Sequence, residues 1–416
     1  MKKLIDYLSF EFLKLLKHNK NVILNQIYSS LSFVVNVIVS IFTIKLVTTY
    51  ISPDSFGIYQ YVLSVSALCT ISTISGINKT ITGYVTKGFH GTVKVSTVMS
   101  VKTGVIGILI LIGFGLYSFY VKSNLLESTL FFIAAIFFIP YRIFPRYQSI
   151  LAGLNKFKDK LLMQSAFTIF NLALGFIVLV IFHQDILVYA LSQLAFQSFC
   201  FTFFFIITYK KLSNKNIDDE YLNHSLIISL IGLGSDIIVP GIQIYLNYAL
   251  GPSFLALYAI ANKMTSSIGG AIKSIVSPVV IKLASKSEVE HKEAVFRLIP
   301  LLLLFGIIIY GFVFLAIDIV GPLLVDKQYN DSLYYAKLLT LVLIFSPLFA
   351  ILRGNILFEK NNKGYAYSIY AEQGFQLIGY VIFISKFGIP AIGVVNFFAS
   401  ASAIAMMLFS IKKLDI

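Results

Sequence analysis

Long apolar runs separated by short polar breaks set the pattern of this chain. They fall near 22–46, 57–79, 97–120, 128–154, 160–182, 186–209, 223–248, 254–281, 296–318, 333–358, 365–385 and 389–411. At a rise of about 1.5 Å per residue, each is long enough to cross a bilayer as a helix. Buried strands would be shorter, and a membrane β-barrel needs an alternation that these runs lack. The pattern predicts an all-α polytopic membrane protein with twelve transmembrane helices.

Two of the polar breaks are alike. "YISPDSFGIYQYVLS" (50–64) leads into the second run and "YALGPSFLALYAIAN" (248–262) into the eighth. Pro53 pairs with Pro252 and Tyr59 with Tyr258, each at an offset of 199 residues (252 − 53; 258 − 59), and Lys87 with Lys286 at the same offset. The turn "GLNKFKDK" after the fourth run is similar to "EKNNKGYA" after the tenth, with Pro145 and Pro347 upstream. The expectation is two six-helix bundles, 22–209 and 223–411, in the same orientation about a pseudo-two-fold axis along the membrane normal. The segment 210–222 links them. Both short breaks are expected to be outer turns.

Charge decides the orientation. Only 12% of residues are charged, 57% are hydrophobic, and mean hydropathy is +0.85; a soluble domain carries about a quarter charged residues. The net charge of +14 is not patterned for nucleic acid, because the basic residues cluster in alternate connections between apolar runs. Lys14, Lys17 and Lys20 precede the first run, Lys156, Lys158 and Lys160 follow the fourth, and Lys210, Lys211 and Lys215 follow the sixth. The opposite connections hold only Lys122, Lys327 and Lys386. By the positive-inside rule both termini are cytoplasmic. Residues 1–21 place Leu4, Leu8, Phe12 and Leu15 at helical spacing, and their lysines follow the apolar positions without a cleavage site. They read as an amphipathic segment on the cytoplasmic surface rather than a signal peptide. Residues 412–416 form a cytoplasmic tail.

Ionisable residues inside spans are costly, which makes them candidates for function. Arg142 lies near the middle of span four with Arg146 one turn on, and Pro140 and Pro145 interrupt the backbone ladder around them. Two guanidinium groups at i and i+4 on one face suit an anion with fork geometry, phosphate or diphosphate. The alternatives are pairing with a buried acid, or Arg146 snorkelling inward. Lys263 and Lys273 lie in span eight, and Arg353, near the inner end of span ten, is roughly opposite Arg146 in the repeat. Lys45 ends span one, where it can snorkel outward. The acids are Asp236 in span seven and Glu372, which with Gln373 and Gln376 makes a polar face on span eleven. Either carboxylate is a candidate for coupling transport to H+ or Na+, or a structural counter-ion. Cys69 and Cys200 sit inside spans as packing residues. The five histidines lack metal spacing, and there is no P-loop and no catalytic constellation, so the chain is expected not to be an enzyme and to need no cofactor beyond a coupling ion.

These segments also have a familiar order. "YISPDSFGIYQYVLSVSALCTISTISGINKTITGYVTKG", "ILAGLNKFKDKLLMQ", "YALGPSFLALYAIANKM" and "ISKFGIPAIGVVNFFAS" together resemble the Wzx-type flippases of O-antigen and capsular repeat units, a branch of the multidrug/oligosaccharidyl-lipid/polysaccharide (MOP) exporter superfamily. The likeness runs over nearly the whole chain, although each stretch alone is a weak apolar pattern. It implies a MATE-like fold and a flippase in the bacterial inner membrane. The implied substrate is undecaprenyl-diphosphate-linked oligosaccharide, carried to the outer leaflet through a cationic cavity by ion-coupled alternating access. Phospholipid, a polysaccharide polymerase and chain-length machinery are the implied surroundings and partners. One departure is that Gln243 and Asn247 stand in span seven where many relatives have an acidic–basic pair, so the coupling carboxylate is not carried over by motif. Rival readings are a drug/cation antiporter of the same superfamily, and a membrane-embedded polymerase or transferase. The latter needs a sizeable outer loop with catalytic acids or arginines; the longest outer connection holds only Asp326, Lys327 and Asp331. A lipid II flippase is expected to have two further spans, and a major-facilitator protein a "GxxxDRxGRR"-like loop that "GYVTKGFHGTVKV" does not match.

Overall fold

The computed structural model describes residues 20–182, 185–284, 288–358 and 362–413; within these, the side chains of 20–23, 25–26, 271, 273–297, 354–355, 357–358, 362 and 412–413 are not described. The expected amphipathic segment at the N-terminus therefore lies almost wholly outside the described residues. Fifteen α-helices follow in order. They are α1 (Lys20–Tyr50), α2 (Pro53–Cys69), α3 (Gly76–Thr86), α4 (Thr92–Tyr120), α5 (Leu125–Ile143), α6 (Tyr147–Gly153), α7 (Phe157–Phe176) and α8 (Ile186–Tyr209). The second series is α9 (Tyr221–Leu250), α10 (Pro252–Ala284), α11 (Glu288–Leu324), α12 (Asp331–Leu339), α13 (Ser346–Phe358), α14 (Asn362–Phe387) and α15 (Ile389–Lys413).

Among the described residues, nine helices are long and apolar enough to cross a membrane, and ten if the pair Asp331–Ile344 and Ser346–Arg353, bent by 44°, counts as one span. The chain is a multi-pass membrane protein. α10 and α14 lie where the eighth and eleventh spans are expected but are not among those nine. Glu372, the glutamines and the tyrosines lower the apolarity of α14, as the polar face read there requires.

The two alike breaks are tighter than the expected turns. Only Ile51 and Ser52 link α1 to α2, and Pro53 is already helical. Ser52 Oγ accepts the Ser55 N–H at 3.4 Å, and Pro at the first helical position loses no hydrogen bond. Gly251 alone links α9 to α10, at φ +96°, followed again by proline. "SPDSFG" and "GPSFLA" are thus helix starts.

Three expected spans are broken. The second divides at a 3₁₀ turn, Thr70–Thr73, into α2 and α3, and Ile74 follows at φ +59°. The fourth divides at Phe144–Arg146, where Pro145 tightens the backbone into 3₁₀ geometry between α5 and α6. The tenth divides at Thr340–Ile344 between α12 and α13.

Packing pairs repeat along the chain. In the first series α1 packs on α7, α2 and α4 on α5, α5 on α8, and α7 on α8; in the second, α9 packs on α14, α10 and α11 on α13, α12 on α15, and α14 on α15. Between the series, α2 packs on α10, α1 on α10 and α2 on α9. At the α2–α10 crossing Ser253 donates to Asp54. A Cβ on Gly57 would lie 1.8 Å from the Pro252 carbonyl oxygen, so the helices cross this closely only because position 57 has no side chain. Gly57→Val is expected to part these helix ends and to lower the thermal unfolding midpoint in detergent, overpacking costing about 1–3 kcal/mol.

The described part of the linker holds to the first series. Gly91 N–H donates to Asn216 O at 2.8 Å, Ser213 N–H to His90 Nδ1 at 3.2 Å, and Lys211 pairs with Asp159 at 2.6 Å. Cys69 and Cys200 are buried and free.

Candidate functional site

The second span and α9 form a polar seam along the length of the molecule. Starting from the hairpin end, Ser64 donates to Gln243 Oε1 below the Asp54–Ser253 contact. Beyond the break, the Gly76 N–H, left without a partner at the start of α3, is taken by Ser229 Oγ at 2.7 Å. Thr80 and Ser225 hydroxyls meet at 2.8 Å, and Tyr84 Oη meets His224 Nδ1 at 3.1 Å.

Asp236 sits at the centre of this seam. Lys79 Nζ lies 3.2 Å from its Oδ2 and 3.3 Å from its Oδ1, and Ser75 donates to Oδ2 at 2.5 Å. Ser75, the residue just before α3 and in helical conformation, and Lys79 are i and i+4 and so share a face; the turn at Ile74 aims that face at α9. Gly232 leaves the room in which the ammonium lies, since a Cβ there would be 2.3 Å from Lys79 Nζ. The pair is open on one side, with 43% of the Lys79 side chain and 25% of that of Asp236 exposed. Lys79 was not among the sequence candidates because it closes the predicted run 57–79 and reads there as an end-of-span residue. Its signal is the polar stretch "TISTISGINK", too rich in Ser, Thr and Gly for an unbroken lipid-facing helix.

The two arginines of the fourth span part company. Arg142, half-buried, donates from Nε to Ser66 Oγ at 3.2 Å and from Nη2 to the Leu63 carbonyl at 2.9 Å, and its guanidinium lies 4.8 Å from the Tyr141 ring centre. One edge of the fork is left over. Arg146 is only 3% exposed and is spent on the protein: on Ile143 O at 2.9 Å, Thr97 Oγ1 at 3.3 Å and Ser100 Oγ at 3.0 Å. The expected shared face is therefore corrected. The 3₁₀ turn at Pro145 changes the register, so Arg142 faces α2 and Arg146 faces α4. Arg146 thereby ties the end of α5 to α4.

The remaining candidates are spread along the second series. Lys263 on α10 is half-buried and has no side-chain hydrogen bond or ion pair among the described residues. The Lys273 side chain lies outside the described residues. Arg353 on α13 lies half-buried over Phe349 at 5.1 Å and Tyr365 at 5.3 Å, a cation–π arrangement with no acid paired to it among the described residues. Lys45 is exposed and lines a lateral groove of about 570 Å³ between α1 and α7. The polar face expected on span eleven divides: Gln373 turns to Ser235 on α9 at 2.7 Å, and Gln376 turns to Asn396 on α15 at 3.1 Å. Glu372 is half-buried beside them. No group of His, Cys, Asp and Glu among the described residues can hold a metal ion.

No family model and no curated protein matches this chain. Solved structures do match in fold. A multidrug resistance MATE family transporter of the MOP superfamily, inward-facing, aligns at TM-score 0.65 and 14% identity over 93% of this chain and 99% of its own. The lipid II flippase MurJ, inward closed, aligns at TM-score 0.70 and 17% identity over 94% and 87%. A MOP superfamily transporter from Pyrococcus furiosus, described as having a binding pocket of reversed polarity, aligns at TM-score 0.64 and 15% identity over 95% and 96%. The chain has the MATE-like fold of MOP superfamily transporters.

Proposed function

We propose that this protein is a flippase that moves undecaprenyl-diphosphate-linked oligosaccharide, an O-antigen or capsular repeat unit, from the cytoplasmic to the outer leaflet of a bacterial inner membrane. The observation that carries this reading is the imbalance of interior charge. Arg142, Lys263 and Arg353 lie half-buried, and no carboxylate of the described residues is within ion-pair distance of them. Cations kept in a membrane interior without counter-ions call for an anionic cargo, and the free edge of the Arg142 fork matches a diphosphate.

The transport cycle we propose is alternating access between two six-helix bundles, 22–209 and 223–411, with both termini cytoplasmic and twelve spans in all, α10 and α14 included. Three features support the two-fold relation. The packing pairs of the two series correspond, Asn36 meets Thr168 as Ser235 meets Gln373, and Asp54 touches Ser253. Those last two are 199 residues apart, the offset of the repeat, and contact between equivalent residues is what a two-fold axis passing between them would require. Asp236, held by Lys79, is the proposed site of the coupling ion, H+ or Na+, with Glu372 the second carboxylate. A polysaccharide polymerase and chain-length machinery are the proposed partners.

The fold alone does not choose the cargo, because the solved relatives include multidrug transporters. Deletion of the gene followed by mass spectrometry of the lipid-linked oligosaccharides decides between them. Accumulation of the complete repeat unit on its lipid, cleared by complementation, is the expected result. Raised drug sensitivity without accumulation would instead support an antiporter.

A further inference from the structure

Three grooves between the described helices are walled mainly by Phe, Ile, Leu and Val, as lipid-facing grooves are. One differs. A pocket of about 170 Å³ between α1, α6 and α7 is lined by Ser32, Asn36, Gln148, Lys160 and Gln164, with Tyr28 among its aromatic walls. Phe33, also on its wall, packs on Gly270 of α10, so the pocket borders the second series. Its side chains are pre-set by one another. Ser32 donates to Gln164 Oε1 at 3.1 Å, and Thr168, whose one hydroxyl proton goes to the Gln164 carbonyl at 2.6 Å, meets the Asn36 amide at 3.0 Å. The Gln164 oxygen is thereby occupied, which leaves its NH₂ group as a donor, while Asn36 is fixed by Thr168 and keeps one end of its amide for a ligand. Lys160 adds an ammonium that has no partner among the described residues. The pocket therefore offers amide groups beside a cation and asks for a ligand rich in hydroxyls and other oxygens. Its volume is below that of a drug-sized site, so it takes one ring of a ligand that extends beyond it.

Resting on the flippase reading above, we infer that this pocket is a subsite for one sugar residue of the lipid-linked oligosaccharide. The two amides hold its oxygens, an aromatic wall covers its C–H face, and Lys160 meets an anionic group, either a carboxylate on the sugar or the linking phosphate. The pocket thus selects for a glycosylated lipid over the bare carrier.

The test uses two probes on the purified full-length protein in nanodiscs: the polyprenyl diphosphate carrying the host's own oligosaccharide, and the same lipid stripped of sugar. Wild type is expected to bind the glycosylated probe more tightly. Asn36→Ala and Gln164→Leu are expected to weaken that probe at least about tenfold, a loss of one or two hydrogen bonds, and to leave the bare lipid within about twofold. Binding of the bare lipid doubles as the test of folding. Lys160→Ala separates the two anion sources: weakening of the glycosylated probe alone assigns the lysine to the sugar, and weakening of both assigns it to the phosphate. Equal affinities of wild type for the two probes, or Asn36 and Gln164 variants that change both probes alike, would overturn the subsite while leaving the flippase reading standing. Failure of wild type to bind either probe would overturn that reading, and the subsite with it.

Discussion

Arg142→Ala is expected to abolish surface polysaccharide while the protein remains at normal levels in the membrane, and Arg146→Ala to deplete the protein itself. Sequence makes these residues a pair, but their surroundings assign them different work. Arg142 is half-buried, makes two hydrogen bonds to α2, and keeps one edge of its fork unused. Water can replace what the alanine variant loses, at a cost of about 1–2 kcal/mol. Arg142→Lys keeps the charge without the fork and is expected to be intermediate. Arg146 holds α4 against the end of α5 through Thr97 and Ser100, and Ser100 in turn donates to Thr73 O at 2.9 Å. Truncation strands these groups away from water, at a cost on the order of 3 kcal/mol, a large part of a typical stability. Immunoblots of membranes beside polysaccharide gels read both effects. Normal polysaccharide in Arg142→Ala at wild-type protein level would remove it from the cavity.

Asp236→Asn is expected to lower transport at least about tenfold with little change in stability, because a pair this exposed contributes only about 0.2–1 kcal/mol. The charge-swapped variant Lys79→Asp with Asp236→Lys is the informative one. It restores the attraction between α3 and α9 but moves the carboxylate to the other helix. Closure of this end, followed by a disulfide between Thr80→Cys and Ser225→Cys, is expected to survive the swap, while transport stays low because the carboxylate has left α9. Recovery of transport in the swapped protein would mean that the two residues act only as a latch.

Run length and charge placement made the helices legible in the sequence, since a bilayer leaves few other uses for twenty apolar residues. The breaks were not legible. The second span divides at Thr70–Thr73 without a proline to mark it, so Lys79 looked like the end of a helix rather than the partner of Asp236. Proline was visible at position 145, but the register change that it produces was not, and Arg142 and Arg146 were placed on one face. The polar residues of α14 were visible too. Whether Gln373 and Gln376 face one cavity or two neighbouring helices depends on packing that periodicity does not report. Arg353 shows the same limit, because its partners Phe349 and Tyr365 come from different helices.

Ile74 closes the 3₁₀ turn of the second span with φ at +59°. A β-branched residue is rarely found in this left-handed region, and holding it there costs about 1–2 kcal/mol. The bend persists because both of its arms are tethered to α9 and α10, α2 through Asp54 and Ser64 and the start of α3 through Ser75 and Lys79. When either tether lets go, the backbone recovers that energy by straightening, enough to shift an equilibrium about five- to thirtyfold. The second span is therefore a cocked spring, and the contacts of the polar seam are its catch.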